Sequence, residues 1–200
     1  MTAPRLFMIV LLLGALLLFW RWDSASIEHP PGVLLPMLPV QESVGARTIA
    51  HGEYALETRA SFDLQARVLS RQNYRFDRGA GLAPLDLALG WGPMSDSAVL
   101  DRIEVRQSGR WFYLSWESPA PVPEQVAMGH SGNMHLIPAD PGVESDLDAV
   151  REGELVRLSG YLVDARGPQG FTWNTSLSRD DTGGGSCELF YVERVLRLTP

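Results

Sequence analysis

Phe62-Asp63-Leu64-Gln65-Ala66-Arg67-Val68 alternates apolar and polar side chains over seven residues. Side chains of a β-strand point to opposite faces in turn, so Phe62, Leu64, Ala66 and Val68 share one face and the polar residues share the other. The stretch reads as a half-buried strand. Strand signals begin at Tyr54, and the Pro-containing stretch lies before it. Downstream, residues 85–89 form a second, weaker apolar run, and Ser95 is placed to cap a short helix over 96–100. Residues 103–105 and 111–116 flank Gln107-Ser108-Gly109-Arg110, a hairpin signature. In the second of these strands Trp111 and Tyr113 point one way, and Phe112, Leu114 and Trp116 the other. Both faces are apolar, so the strand is expected to be central or covered by a partner.

Asp140-Pro141 predicts the start of a helix, an N-cap followed by proline in the first turn. Val143, Leu147 and Val150 form its inner stripe, and Gly153 its expected stop. Strands follow over 155–163, over 171–177 after the turn Gly167-Pro168-Gln169-Gly170, and over 187–198. Six or seven strands with two short helices predict a mainly β (α+β) domain, a small closed or nearly closed β-barrel. Val156-Arg157-Leu158-Ser159-Gly160-Tyr161-Leu162-Val163 resembles a strand of an OB-type barrel.

Residues 6–20 read LFMIVLLLGALLLFW, without a polar side chain. As a helix they cover roughly 22 Å, short of a ~30 Å hydrocarbon core. Arg5 and Arg21 can snorkel outward, Trp20 and Trp22 suit the interface, and local thinning makes up the rest. A cleaved signal peptide is the alternative, with Ser24-Ala25-Ser26 as its small-residue site; the bulky Phe-Trp-Arg-Trp-Asp after the apolar run favours the anchor. The expected organisation is a membrane anchor at 1–22, a stem at 23–53 carrying Pro30, Pro31, Pro36 and Pro39, and an exported domain at 54–200. Such a chain is a bacterial inner-membrane protein with one span and its domain outside the cytoplasm.

Charge narrows the partners. Every basic side chain is arginine, which reflects genomic base composition before function. All 24 acids lie from Asp23 onward against 15 arginines, leaving that part at −9. So acidic a domain gains nothing from neutralising phosphates, which excludes nucleic acid and anionic lipid surfaces as partners. The single cysteine, Cys187, forbids an intrachain disulfide. It is therefore buried and inert, paired between chains, or reactive.

Three patches are more polar and glycine-rich than a barrel needs: residues 90–95 presenting Trp91, residues 130–135 with His130, Asn133 and His135, and residues 179–188 with Arg179, Asp181 and Cys187. Trp91, Asn133, His135, Arg179 and Asp181 are the candidate binding residues. Asp181-Thr182-Gly183 is not an aspartic-protease motif, because Arg179 and Asp180 precede it where an apolar strand is required. His130, His135 and Cys187 do not predict a metal centre, since histidines five apart fit neither helical nor strand ligand spacing. No motif implies a cofactor.

A cysteine after a glycine-rich loop, with a histidine available as base, is the pattern of a thiol nucleophile. The order anchor, histidine, cysteine, arginine on a β-barrel is similar to that of sortase transpeptidases, as is Val126-Ala127-Met128-Gly129-His130. That resemblance implies His130 as base, Cys187 as nucleophile and Arg197 (or Arg194) as electrostatic partner. The sequence departs from the family where Ser186 rather than threonine precedes Cys187. Asn133-Met134-His135-Leu136-Ile137-Pro138-Ala139 and residues 176–183 resemble a group of proteobacterial single-pass envelope proteins, which implies an envelope protein and carries over no catalytic residue. The expected function is a membrane-tethered binding or accessory module that docks another envelope protein or a polymer, with cysteine-dependent acyl transfer as the rival.

Overall fold

The computed structural model describes residues 26–178 and 187–199. The expected membrane helix, Arg179 and Asp181 lie outside them, and no helix among the described residues is long and apolar enough to cross a membrane. The domain is mainly β. Its strands are β1 (Val40–Ser43), β2 (Thr48–His51), β3 (Tyr54–Asn73), β4 (Leu85–Gly90), β5 (Glu104–Ser108), β6 (Trp111–Ser115), β7 (Ser131–Pro138), β8 (Leu155–Gly167), β9 (Phe171–Trp173) and β10 (Glu188–Leu198). Three short helices accompany them, α1 (Ser97–Leu100), α2 (Glu124–Gly129) and α3 (Pro141–Asp148).

Five strands pair in a ring. β3 pairs with β4, β4 with β7, β7 with β10, β10 with β8, and β8 returns to β3. All pairings are antiparallel except β7–β10, which is parallel. The alternation of β3 sets what fills the ring: Phe62, Leu64, Ala66 and Val68 join Leu85, Leu87 and Leu89, Met134 and Leu136, Val156 and Leu158, and Phe190 and Val192 in one buried cluster. Val143, Leu147 and Val150 close one end, so the α3 stripe lies inward as its spacing predicts. Asp140 caps that helix by accepting from the Gly142 and Val143 N–H groups, a contact typically worth about 1 kcal/mol. At Gly160 a side chain would collide with the Tyr191 carbonyl, so only glycine lets β8 and β10 approach at that point.

Several expectations change. The short helix is capped by Asp96, which accepts from the Ala98 N–H at 2.8 Å. Ser95 instead uses its hydroxyl oxygen to accept from Leu34 and Leu35 N–H. The stretch expected to be a stem is extended but lies on the domain. Ile27 N–H donates to the Glu152 carbonyl at 2.8 Å, His29 Nε2 donates to the Gly153 carbonyl at 2.8 Å, and β1 and β2 both pair with β3. Prolines at 30, 31, 36 and 39 prevent a helix without preventing such packing. Residues 130–135, read as a glycine-rich patch, are mostly the buried strand β7.

Candidate functional site

The site lies on the outer wall of the barrel, where β4 and β7 run side by side. Because Leu85, Leu87 and Leu89 fill the interior, Asp86 between them points outward. Met134 and Leu136 likewise turn Asn133 and His135 outward. Register places Asp86 opposite His135 and Ala88 opposite Asn133. The outward face would ordinarily be solvated, yet Asp86 is fully buried and His135 is 3% exposed. The β5–β6 hairpin, the loop between β3 and β4, and β9 cover them.

Arg110 makes the closure. The register of the hairpin leaves Gly109 and Arg110 as a two-residue turn, both with positive φ, the geometry in which paired strands twist together. Glycine adopts that conformation freely; arginine at φ +73° does so at a cost of about 1–2 kcal/mol. Several contacts offset the strain. The guanidinium reaches Asp86 at 2.7 Å and the Ala83 carbonyl at 2.8 Å, and meets both carboxylate oxygens of Asp77 at 2.9 Å. Its backbone N–H donates to the Tyr74 hydroxyl at 3.0 Å. The charged plane sits 3.7 Å from the centre of the Tyr74 ring and 5.4 Å from that of Trp173. Arg110 bonding holds the Asp77 carboxyl below the ordinary carboxylate range against the opposing effect of burial.

Asn133 ties the same turn from below. It donates to the Arg110 carbonyl at 3.1 Å and accepts from Gln107 Nε2 at 2.6 Å. His135 packs against Trp173 with ring centres 4.7 Å apart and planes tilted by 50°. Its Nδ1 lies 2.9 Å from an Asp86 carboxylate oxygen.

Above this floor is an open cleft of about 380 Å³, lined by Arg110, Trp111, His135, Thr172, Trp173, Asn174 and Cys187. Trp111 and Tyr113 face solvent at 38% and 49% exposure. The hairpin is thus a lid of two strands lying on the wall, neither central nor buried on both faces. Cys187 is half-buried, its sulfur 3.8 Å from the Arg110 carbonyl. Burial first, and the neighbouring Glu188 and Asp86 carboxylates after it, push its thiol up to about 11. At neutral pH it is a thiol and a poor nucleophile.

The three residues of the transpeptidase pattern are not brought together. His130 lies beyond the start of β7, its Nδ1 donating to the Val126 carbonyl at 2.9 Å and its ring against Gly92. Arg197 is ten residues from Cys187 along β10, about 30 Å at strand rise, and pairs with Glu154 at 3.3 Å. Arg194 is exposed. The imidazole that shares the cleft with Cys187 is that of His135. Trp91, a candidate binding residue, is 2% exposed within the barrel core. Asn133 and His135 do lie in the site. Arg110, Asp86, Asp77, Trp111 and Trp173 complete it, and sequence reasoning passed over them as a group. One signal for them existed: Asp86 in Leu-Asp-Leu-Ala-Leu is a carboxylate inside an apolar strand, and such a group needs a buried partner. No group of three or more metal-ligating side chains occurs among the described residues. The chain matches no family model, no curated protein and no solved structure.

Proposed function

We propose that the domain is an OB-type barrel serving as a non-catalytic binding module, tethered to the bacterial inner membrane by residues 6–20 and exposed outside the cytoplasm. The ring order β3-β4-β7-β10-β8 is the barrel order 1-2-3-5-4 with the parallel pair between the third and fifth strands. In OB barrels the face of the second and third strands, with the loops after the first and fourth, receives chain-like ligands. Here that face is β4–β7, and those two loops contribute Tyr74 and Asp77, and Thr172, Trp173 and Asn174. The ligand on this reading is a segment of another envelope protein or an envelope polymer.

The single observation that carries the reading is the cleft itself. Two tryptophans line it, one on the hairpin and one on β9, above a floor locked by Arg110 and Asp86. Its only thiol has a raised pKa. That is a preorganised docking surface rather than a poised nucleophile.

The test is crosslinking and co-purification of the full chain from its native envelope, comparing wild type with Trp111→Ala and with Arg157→Ala. Arg157 pairs with Asp63 at a separate surface. A component captured by wild type and by Arg157→Ala but lost with Trp111→Ala supports the cleft. Capture that ignores Trp111 refutes it.

A further inference from the structure

Residues 33–40 read Val-Leu-Leu-Pro-Met-Leu-Pro-Val, eight residues without a polar side chain. Most are turned away from the domain. Val33, Met37, Leu38 and Val40 are 50%, 63%, 56% and 54% exposed, and Pro36 is exposed with them. Leu35 fastens the stretch, its side chain buried and its carbonyl accepting the Gly92 N–H at 2.7 Å. Single exposed apolar side chains are ordinary on soluble proteins. A continuous apolar strap of this length marks a contact surface.

Its place in the chain indicates what covers it. From Ile27 onward the backbone is fixed on the domain, by the hydrogen bonds to Glu152 and Gly153 described above. Only residues 23–26 separate that point from Trp22, a reach of at most about 18 Å. Val33 follows six residues after Ile27. We infer that residues 33–40 are a second membrane contact, an apolar strap that seats the barrel on the lipid beside its anchor. This rests on the reading of residues 6–20 as a membrane anchor. The strap holds no charge, so it contributes apolar area alone and avoids the repulsion that a −9 domain meets from anionic headgroups.

The experiment places a nitroxide at Met37→Cys, at Leu38→Cys or at Tyr113→Cys in a Cys187→Ala background. Each full-length chain is reconstituted into vesicles of zwitterionic lipid. All three labelled side chains are exposed, so folding is not at stake at the labelled positions; circular dichroism checks the Cys187→Ala background. Collision rates with oxygen, which concentrates in lipid, are compared with those of a water-soluble nickel chelate. The expected result is co-flotation with the vesicles and an oxygen-to-chelate ratio severalfold higher at 37 and 38 than at 113. Co-flotation with equal ratios at all three positions overturns the strap and leaves the anchor standing. A chain that fails to float with the lipid refutes the anchor, and the strap falls with it.

Discussion

Arg110→Ala is expected to destabilise the domain by more than any other change on the hairpin. The guanidinium serves two carboxylates in unlike surroundings. The Asp77 side chain is 37% exposed, and an ion pair that open to water contributes about 0–1 kcal/mol. Asp86 has no exposure at all, and a buried carboxylate deprived of its cation costs about 3–5 kcal/mol. The larger cost decides the outcome. For a domain of this size that is a fall in Tm of roughly 10 °C, read by circular dichroism on the purified chain. Arg110→Gly removes the same charge but relieves the positive φ, so it should be milder by about 1 kcal/mol. Asp86→Ala combined with Arg110→Ala should cost less than the two single losses added together, because the second removal leaves no orphaned charge. An Arg110→Ala chain within about 0.5 kcal/mol of wild type, or strict additivity in the double variant, would refute the closure described for this site.

Three further outcomes follow from the same geometry. Cys187, pushed up to about 11, should react slowly with iodoacetamide at pH 7 and accelerate only as the pH climbs past 10; rapid neutral-pH alkylation of the folded chain contradicts that environment. Asp63 sits below the ordinary carboxylate range because hydrogen bonds from Ser159 and Arg157 outweigh burial. A depressed folded pKa stabilises above the unfolded value of about 4 and is lost as pH falls through the folded one, so Asp63→Asn should flatten the loss of urea resistance on acidification, and an unchanged slope counts against the pairing. Gly153 adopts φ +82° with the Ile27 backbone against it, so Gly153→Ala should lift residues 26–31 from the domain; limited proteolysis that finds no new cleavage there would show that the packing tolerates a methyl.

The barrel was legible where one face of a strand was apolar and the other polar. β3 shows that alternation outright, and Asp140-Pro141 announces α3 through its cap. β7 was hidden because its outward positions, Asn133 and His135, look like solvent-facing residues of a loop; they are buried because the β5–β6 hairpin, whose turn at Arg110 stands 23 residues before Asn133 in the chain, lies over them. The hairpin rests on the wall instead of entering the ring, so of the two readings of its aromatic strand the central one falls, and Trp111 and Tyr113 are left facing outward. The segment before β3 read as a stem because its prolines report the absence of helix, and proline content says nothing about whether an extended chain is docked. Asn133 and His135 could be singled out from composition alone as neighbours of the candidate cleft, whereas Arg110 and Asp86 required the register that makes them meet.

On the proposed reading, the charge balance of the cleft limits what it can hold. Asp77 and Asp86 present two carboxylates to the one guanidinium of Arg110, and Glu188 lies buried at the start of β10. Arg110 already spends its donors on Asp77, Asp86 and Ala83, so it offers no free fork to a phosphate or carboxylate. A polyanion would therefore find no free fork on Arg110 and would meet the Asp77 and Asp86 carboxylates beside it. What remains available is flat aromatic surface on Trp111 and Trp173, with Thr172 and Asn174 exposed beside it for hydrogen bonds. Such a surface suits a neutral or cationic ligand with a broad apolar face, a sugar ring or the stem of a basic side chain, stacked on indole. Because Arg110 is at once the turn of the hairpin and the counter-charge of Asp86, the position of Trp111 is fixed by an ion pair in the wall behind it. Loosening that pair should weaken capture even where Trp111 itself is intact.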